Sequence, residues 1–210
     1  IQLWENKREM YERFAKYGIP HPETAILKEL GENSLEKYKS SMYIIKPSFS
    51  KSSIGITVFK DVGQAKETLV SDGVLILQRV ASIVRDCRII VINNKVVLQY
   101  WRNKIDALDD KEFVTTATGN GSTVLFNTYS KEIEDFALKN TELLGLDCAA
   151  WDLIEEEGEI KALEVSPIYY PNASRGYDSK KPYRNYKKRF LYQFDMRYEF
   201  AKHIHERRSE

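Results

Sequence analysis

The chain has 210 residues, 42% of them hydrophobic, which is enough for one large domain or two small ones around a substantial core. Charged residues make up 30% of the sequence, and its 32 basic and 31 acidic side chains nearly cancel, so the overall charge indicates no particular class of partner. No apolar run is long enough to span a membrane and no secretory signal pattern opens the chain, so we expect a cytoplasmic protein.

The first part of the chain, residues 1–21, predicts a leading helix and a connector. Residues 3–17 place their apolar side chains on one face of a helix. Gly18 is a suitable residue to end that helix. Pro20 then favours an extended chain, because proline disfavours the helical conformation of the residue before it.

The next part, residues 22–82, predicts a small α+β unit. An apolar strand at 42–46 is followed by a serine-rich loop at 48–55. A second strand at 56–59, a short helix and a third strand at 74–79 complete the unit.

The remainder, residues 83–210, predicts a larger unit. Strands 87–92 and 95–101 are separated by Asn93 and Asn94 alone, which is typical of a hairpin. Ser130 can cap a helix that ends at Gly145. The tail carries an apolar stripe at helical spacing and predicts a helix packed on the body of the protein; its members are Leu191, Phe194, Tyr198 and Ala201.

Between that capped helix and the tail lies an acidic hairpin that carries two isolated carboxylates. Asp152 and Glu164 each lie in an otherwise apolar strand, where an ionised carboxylate is costly unless it is paired or binds a metal. If the hairpin turns about Gly158, they lie directly opposite each other. Like charges in that position destabilise a sheet, so a cation is expected between them, and Mg²⁺ suits such a pair. The alternative is that one carboxylate is in a salt bridge and the other lies at an exposed edge.

Two strand ends of the small unit carry further candidates. Lys46 precedes the serine-rich loop and can pair with a phosphate whose oxygens the loop N–H groups also bind, although the loop lacks the Walker A pattern. Gln78 ends the third strand, where it and the neighbouring backbone can bind an adenine edge. Taken alone, each signal is also compatible with an ordinary strand end.

Charged side chains also lie at the outer ends of the hairpin formed by 87–92 and 95–101. Asp86, Arg88 and Arg102 are suited either to surface ion pairs or, in a cleft, to contact with carboxylate or phosphate.

The histidines lack ligand or triad spacing, and no nucleophile elbow, HExxH or GxGxxG motif is present. Cys87 and Cys148 lie in apolar runs without metal-ligand spacing, and we expect buried free thiols. Covalent hydrolase and dinucleotide-binding functions therefore have no support.

Taken in order, these segments resemble the ATP-grasp superfamily, of the type of glutathione synthetase and the ribosomal-protein glutamate ligases. The resemblance covers nearly the whole chain, from about Asn6 to Ser174. The matching segments are NK at 6–7, YGIPHPET at 17–24, YIIKP at 43–47, SSIGI at 52–56, LQRV at 77–80, DCR at 86–88, LGLDCAAWD at 144–152 and LEVS at 163–166.

The resemblance implies an α+β ATP-grasp fold, with two α+β subdomains gripping ATP between them, and a set of site residues. The expected ATP contacts are Lys7, Lys46, Ser52, Ser53, Gly55, Gln78, Arg79, Val80 and Asp86. The expected ligands of Mg²⁺, of which the family binds two ions, are Asp152, Glu164 and Ser166. Arg88 and Arg102 are the expected catalytic residues. The expected substrate contacts are Tyr169, Asn172 and Arg175.

Three departures from the family pattern accompany this resemblance. Ser166 stands where the family has a metal-binding asparagine. The phosphate loop has serines where glycines are common, and the N-terminal preATP-grasp domain is absent from this sequence. A truncated chain or a stand-alone ATP-grasp unit are the two explanations of that absence.

The implied function is an ATP-dependent carboxylate–amine ligase that forms an amide or peptide bond through an acyl phosphate. Its partners would be small carboxylate and amine substrates, amino acids or peptides, with no membrane; a homo-oligomer stays open. One alternative is a non-catalytic ATP-binding regulatory module. Another is a nucleic-acid-binding protein that uses the basic, tyrosine-rich segment 177–189, which we interpret first as a solvated basic rim or a surface for an acidic partner.

Overall fold

Two antiparallel sheets and two helices make up most of the described chain, and they confirm the predicted α+β class. The computed structural model describes residues 6–30, 42–49, 55–59, 75–81, 85–103, 123–125, 129–167 and 201–206. The short helix predicted between the second and third strands of the small unit falls outside these ranges. None of the helices within them is long and apolar enough to cross a membrane.

The first helix, α1, spans Lys7–Tyr17 and is capped at both ends. The Asn6 side chain accepts a hydrogen bond from the backbone N–H of Arg8, at 3.1 Å. The helix therefore begins four residues later than predicted, because Asn6 is its N-cap. Gly18 ends it as predicted, with a φ of 65° in the left-handed region that glycine adopts without strain.

The small sheet contains four strands in the order β1-β4-β2-β3, and all neighbours are antiparallel. The strands are β1 at Thr24–Ile26, β2 at Tyr43–Pro47, β3 at Thr57–Phe59 and β4 at Leu75–Arg79. Three of them were predicted. The edge strand β1 was missed because its three residues follow the proline-rich connector and are too few to show a periodic pattern.

The large sheet contains five strands in the order β7-β6-β5-β8-β9, again with antiparallel neighbours. The strands are β5 at Arg85–Ile92, β6 at Lys95–Asn103, β7 at Thr123–Leu125, β8 at Cys148–Glu156 and β9 at Glu159–Ser166. The second helix, α2, spans Lys131–Leu143 and precedes β8. Its start is confirmed, because the Ser130 hydroxyl accepts a hydrogen bond from the N–H of Ile133 at 3.3 Å.

The two faces of the large sheet have different roles. Alternate residues of β5, β6 and β8 pack against α1 and α2 in one apolar cluster, in which the rings of Phe14 and Trp151 stack at 5.9 Å. Residues between them point to the opposite face. Asp152 lies on that second face, because its neighbours Trp151 and Leu153 both belong to the apolar cluster. By the same alternation the second face carries Asp86, Arg88, Arg102, Asp152 and Glu164.

The β8–β9 hairpin contains the predicted pair of Asp152 and Glu164, but the strand register that produces it differs from the predicted one. Its turn consists of Glu157 and Gly158, so Glu156 lies opposite Glu159. That register alone would place Leu163 opposite Asp152. A β-bulge shifts the register between Asp152 and Leu153, so that Glu164 faces Asp152 and Leu163 becomes the extra residue. The predicted pair is confirmed, but the assumed symmetry about Gly158 was wrong.

The two sheets are joined by an ion cluster around Glu156. Its side chain is buried, and Oε2 lies 2.5 Å from Nη2 of Arg79 on β4 and 2.9 Å from Nζ of Lys161 on β9. Burial acts to raise the pKa of Glu156, but the hydrogen bonds from Lys161 and Arg79 outweigh it and lower that pKa. A carboxylate with a lowered folded-state pKa stabilises the fold above its unfolded pKa and loses that contribution as the pH falls.

We therefore expect Glu156→Gln to lower the free energy of unfolding by about 2 kcal/mol at neutral pH, because two partly buried cations lose their charged acceptor. Urea unfolding measures this loss, and the difference from the wild type should shrink when the pH falls below about 4. The control is Glu155→Gln, because Glu155 is half-exposed and lies 3.8 Å from Arg85; it should change stability by less than about 0.5 kcal/mol. Equal losses in both variants would contradict a specific role for Glu156.

The cysteines and the tail depart from the predictions in part. Cys87 is buried, as expected, and burial raises the pKa of its thiol to about 12; Cys148 is also free but only partly buried. In the tail, residues 201–206 are helical, with Ala201 exposed and His203 buried. The apolar stripe therefore does not continue through Ala201, and its other members lie outside the described residues.

Candidate functional site

The second face of the large sheet carries a chain of charged side chains centred on Asp152. Cross-strand pairing places Arg88 beside Asp152, and Nη2 of Arg88 donates to Oδ2 at 2.8 Å. Arg102 lies between two carboxylates: it donates to both oxygens of Asp86, at 2.8 and 2.5 Å, and its Nη2 lies 2.8 Å from Oδ1 of Asp152. Burial acts to lower the pKa of Arg102, but Asp152 and Asp86 outweigh it and raise that pKa, so the guanidinium stays charged.

The Oδ1 atom of Asp152 lies between two guanidinium groups. Its Oδ1 lies 2.5 Å from Nε of Arg88 as an ion pair, but the two atoms do not have the geometry of a hydrogen bond. Within the described residues Oδ1 is buried and accepts no hydrogen bond. Nη2 of Arg102 lies 2.8 Å from the same oxygen, so a metal ion bound there would have to share or displace contacts with both arginines.

Glu164 lies directly opposite Asp152 and is the more accessible of the two carboxylates. Its side chain is 42% exposed, whereas that of Asp152 is 14% exposed. Lys7 approaches it from the first turn of α1, with Nζ 3.8 Å from Oε1. Ser166 follows two residues later on the same strand, opposite Ala150. Protein cations thus lie beside each carboxylate, Lys7 at Glu164 and the two arginines at Asp152. This arrangement matches the alternative of one carboxylate in a salt bridge and one at an exposed edge, and a Mg²⁺ ion between the pair stays a prediction.

Lys46 occupies a buried polar network beneath Glu164. Its Nζ donates to the Tyr11 hydroxyl at 2.9 Å and to Oε1 of Gln78 at 2.8 Å. Within the described residues no carboxylate forms an ion pair with it. Burial lowers the pKa of Lys46 to about 8, and the Glu164 charge only partly opposes this. A buried ammonium with neutral acceptors is an incomplete arrangement that an anion can complete.

The predicted adenine contacts already have protein partners in this structure. Nε2 of Gln78 donates to the hydroxyls of Tyr11 and Thr24, at 2.8 and 3.0 Å. The backbone N–H of Arg79 donates to the carbonyl oxygen of Glu23, and that of Val80 donates to the carbonyl oxygen of Met42. Contact of these groups with adenine stays a prediction, and it would require these bonds to be shared or exchanged.

The remaining predicted site residues fall into two groups. Gly55 has a φ of 76°, and a Cβ placed there would lie 2.9 Å from Cγ of Pro47, so the end of the loop requires glycine. Asp86, predicted to contact nucleotide, is buried and bound to Arg102, so its direct partner in this structure is a protein side chain. Five predicted residues lie outside the described ranges: Ser52, Ser53, Tyr169, Asn172 and Arg175.

Tyr11 is the site residue that the sequence analysis missed. Tyr11 lies within the helix predicted at residues 3–17, and its hydroxyl lies at the centre of the Lys46 network. The sequence feature that could have indicated this role is the spacing of Tyr11 from Lys7. Residues four apart lie on the same side of a helix, so a polar tip at position 11 can reach the site that Lys7 approaches.

The donor set fits magnesium bound together with phosphate. Within the described residues no cluster of three or more histidine, cysteine, aspartate or glutamate side chains could hold a metal by itself. Mg²⁺ commonly uses one or two carboxylates and takes its other oxygens from water and substrate phosphates. Asp152, whose contacts with Arg88 and Arg102 the ion would have to share, and the half-exposed Glu164 supply such a pair.

Known structures with the same fold include several ligases. The D-alanine–D-alanine ligase of Bacillus anthracis matches with a TM-score of 0.62 and 15% identity, over 95% of this chain and 70% of that chain. The D-cycloserine synthetase DcsG matches with a TM-score of 0.59 and 17% identity, over 79% of this chain and 62% of that one. The ATP-grasp ligase PsnB matches with a TM-score of 0.57 and 15% identity, over 77% of this chain but only 51% of that one.

The sequence comparisons give the family. No curated protein sequence matches this chain. The chain spans about half of the PsnB chain that it resembles. The identities to the three structures are 15%, 15% and 17%, so these structural similarities show the fold alone. The model of the RimK-like ATP-grasp domain matches residues 5–178, which is most of the sequence. The ATP-grasp resemblance inferred from the sequence is therefore confirmed, and the chain belongs to the family of RimK-like ATP-grasp domains.

Proposed function

We propose that this chain is the ATP-binding part of a carboxylate–amine ligase that works through an acyl phosphate. One observation carries the proposal: Asp152 and Glu164 face each other across a hairpin, above a buried Lys46 that lacks a carboxylate partner among the described residues. Paired carboxylates and an unpaired ammonium are complementary to a magnesium-bound polyphosphate. Membership of the RimK-like ATP-grasp family supports the same assignment.

Asp152 and Glu164, assisted by Ser166, would hold Mg²⁺ at this site. Bound there, the ion would neutralise part of the phosphate charge. Lys7 and Lys46 would contact the phosphates from the other side, because each is mostly buried and reaches the site from α1 or β2. Nucleotide binding would thus depend on both sheets.

Arg88 and Arg102 would act on the reacting groups in different ways. The Arg88 side chain is 18% exposed and holds Asp152 from one side, so it can also meet a transferred phosphoryl group. Arg102 is more deeply buried and is bound to both Asp86 and Asp152. We assign to Arg102 mainly the orientation of Asp152, and to Asp86 the orientation of Arg102.

The proposed reaction needs no side-chain nucleophile. A substrate carboxylate oxygen attacks the γ-phosphorus of ATP, the bond between that phosphorus and the bridging oxygen breaks, and ADP leaves. An amine nitrogen then attacks the carbonyl carbon of the acyl phosphate, phosphate leaves and the nitrogen loses a proton. The protein's part is to position these groups and to neutralise charge, which is the usual basis of phosphoryl-transfer catalysis.

The proposed substrates are amino acids or peptides. The similar structures include a D-alanine–D-alanine ligase and a PsnB complex with a precursor peptide and AMPPNP. PsnB is also described with magnesium and ADP. These names support the substrate class for our chain without identifying the substrate. Tyr169, Asn172 and Arg175 stay the predicted contacts for it.

The function is tested by measuring ADP release with magnesium and ATP, screened over amino acids and short peptides, singly and in pairs. A ligase should release ADP only with an acceptable carboxylate, and it should form an amide when a suitable amine is added. A non-catalytic module should bind nucleotide without turnover under every condition. A nucleic-acid-binding protein should instead show affinity for nucleic acid that falls steeply with salt.

A further inference from the structure

The Tyr11 hydroxyl connects three elements of the site. It donates a hydrogen bond to the backbone carbonyl of Leu163 on β9 at 2.6 Å. It accepts hydrogen bonds from Nζ of Lys46 on β2, at 2.9 Å, and from Nε2 of Gln78 on β4, at 2.8 Å. A phenol hydroxyl has one proton to donate and oxygen lone pairs to accept, so all three contacts can exist together. Tyr11 itself is buried.

The donated bond ends on the residue that forms the β-bulge. Leu163 has no residue opposite it on β8, because Asp152 pairs with Glu164 and Leu153 pairs with Ala162. A bulged residue leaves backbone groups without ladder partners, and the Tyr11 hydroxyl supplies one for its carbonyl. The flanking residues are held from the same side: the N–H of Val165 donates to Sδ of Met10, and that of Ala162 to the carbonyl of Pro20.

The bulge decides which side chain faces Asp152. The register set by the Glu157-Gly158 turn would bring Leu163 opposite Asp152 if it continued unbroken. Side chains alternate along a strand, so a shift of one residue would turn Glu164 toward the apolar face. Contacts from α1 at the bulge therefore favour the register in which Glu164 faces Asp152.

The accepted bonds fix the ammonium on the other side of the site. Nζ of Lys46 has two acceptors, the Tyr11 hydroxyl and Oε1 of Gln78, and Gln78 is itself oriented by Tyr11. The same Nζ lies 4.9 Å from the centre of the Tyr11 ring. Removing the hydroxyl would take away one acceptor of Lys46 and one partner of Gln78.

We propose that Tyr11 is a positioning residue whose hydroxyl sets the placement of the Lys46 ammonium relative to the Glu164 carboxylate. The inference rests on the proposed function, in which these two groups bind opposite parts of a magnesium nucleotide. Tyr11 itself need not touch the nucleotide. A purely structural role is the competing explanation, because its ring also packs against Phe14 and His21, at 5.7 and 5.6 Å.

The test is Tyr11→Phe, which keeps the ring and removes the hydroxyl alone. We expect the Kd for magnesium ATP, measured by calorimetry, to rise by about tenfold or more. The reason is that the Lys46 ammonium and the strand that carries Glu164 would lose the hydroxyl that contacts both. Tyr43→Phe is the matched control. Tyr43 lies on β2 and is buried, as Tyr11 is, but its hydroxyl donates to the Glu23 side chain, at 2.7 Å, and not to a group of the proposed site. This variant should therefore change the Kd by less than about twofold.

The two explanations differ in what they do to the Kd. A purely structural role would lower the folded fraction, and so the number of binding sites, without changing the Kd. An unchanged Kd in Tyr11→Phe, or equal increases in both variants, would overturn the proposal.

Amide hydrogen exchange gives a second readout that needs no nucleotide. We expect faster exchange at residues 162–165 in Tyr11→Phe, and wild-type exchange there in Tyr43→Phe. Exchange unchanged in both variants would overturn the role of Tyr11 at the bulge. If the wild-type chain binds no magnesium ATP but the two variants show this exchange pattern, the proposed function is contradicted. The effect of Tyr11 on the strand that carries Glu164 is then still supported.

Discussion

Glu164→Gln is expected to reduce ADP formation by about 100-fold or more while leaving the fold intact, because a neutral amide is a much weaker ligand for Mg²⁺ than a carboxylate. The fold should survive because the Glu164 side chain is 42% exposed and its ion pair with Lys7 is long, at 3.8 Å. Such a pair contributes little to stability. The measurements are ADP release at saturating ATP, with the substrates found in the screen, and thermal unfolding of the same samples.

Glu159→Gln is the matched control for this prediction. Glu159 lies on the same strand, is 56% exposed and is 3.6 Å from Lys161, so the same chemical change is made at a similar ion pair. It should leave ADP release unchanged. Asp152→Asn is a less clean test, because it would remove the charge that pairs with Arg88 and one of the two carboxylate charges that pair with Arg102, at a cost of about 3–5 kcal/mol of stability. Wild-type ADP release by Glu164→Gln would remove the carboxylate pair from the mechanism.

Lys46→Met is expected to weaken magnesium ATP binding by about 100-fold or more, because the site loses a buried cation whose acceptors here are a hydroxyl and an amide. Methionine has a similar length and no charge, so the change also removes the cost of burying the ammonium. The protein should therefore remain folded. Calorimetry gives the affinity, and Lys16→Met, an exposed position on α1, is the control that should bind like the wild type.

The pH dependence of binding gives the same residue a second signature. The pKa of Lys46 is lowered to about 8, so below this pH the ammonium is charged before nucleotide arrives. Above it, binding must also take up a proton, and the Kd of the wild type should rise by up to about tenfold per pH unit. Lys46→Met has no such proton and should lack this rise. A wild-type Kd that stays constant from pH 7 to 10 would contradict the assignment of phosphate contact to Lys46.

The carboxylate pair could be predicted because its signal is local. Asp152 and Glu164 are isolated charges in apolar strands joined by a short turn, and this pattern places the two residues close together across the hairpin. The bulge could not be predicted, because its partners Met10 and Tyr11 lie about 150 residues away in sequence. The β5–β6 hairpin has the same plan, with a turn at Asn93 and Asn94 and a register shift after Ile90.

The arginine network shows a different limit of the sequence. Asp86, Arg88 and Arg102 were recognised as charges at strand ends, but their partners depend on the order of strands in the sheet. Arg88 meets Asp152 only because β8 lies beside β5, a pairing between segments separated by the whole of β6, β7 and α2. Local patterns give such residues a chemical type; tertiary structure gives them a partner.

In the proposed function, a magnesium nucleotide binds between the two sheets, held by Lys46 from one and by Asp152 and Glu164 from the other. Calorimetric titration of the wild-type chain with ATP, once with magnesium and once with a chelator, tests it most directly. We expect saturable heat with magnesium and an affinity at least about tenfold lower without it. No heat with magnesium, or the same affinity in the chelator, would contradict the claim.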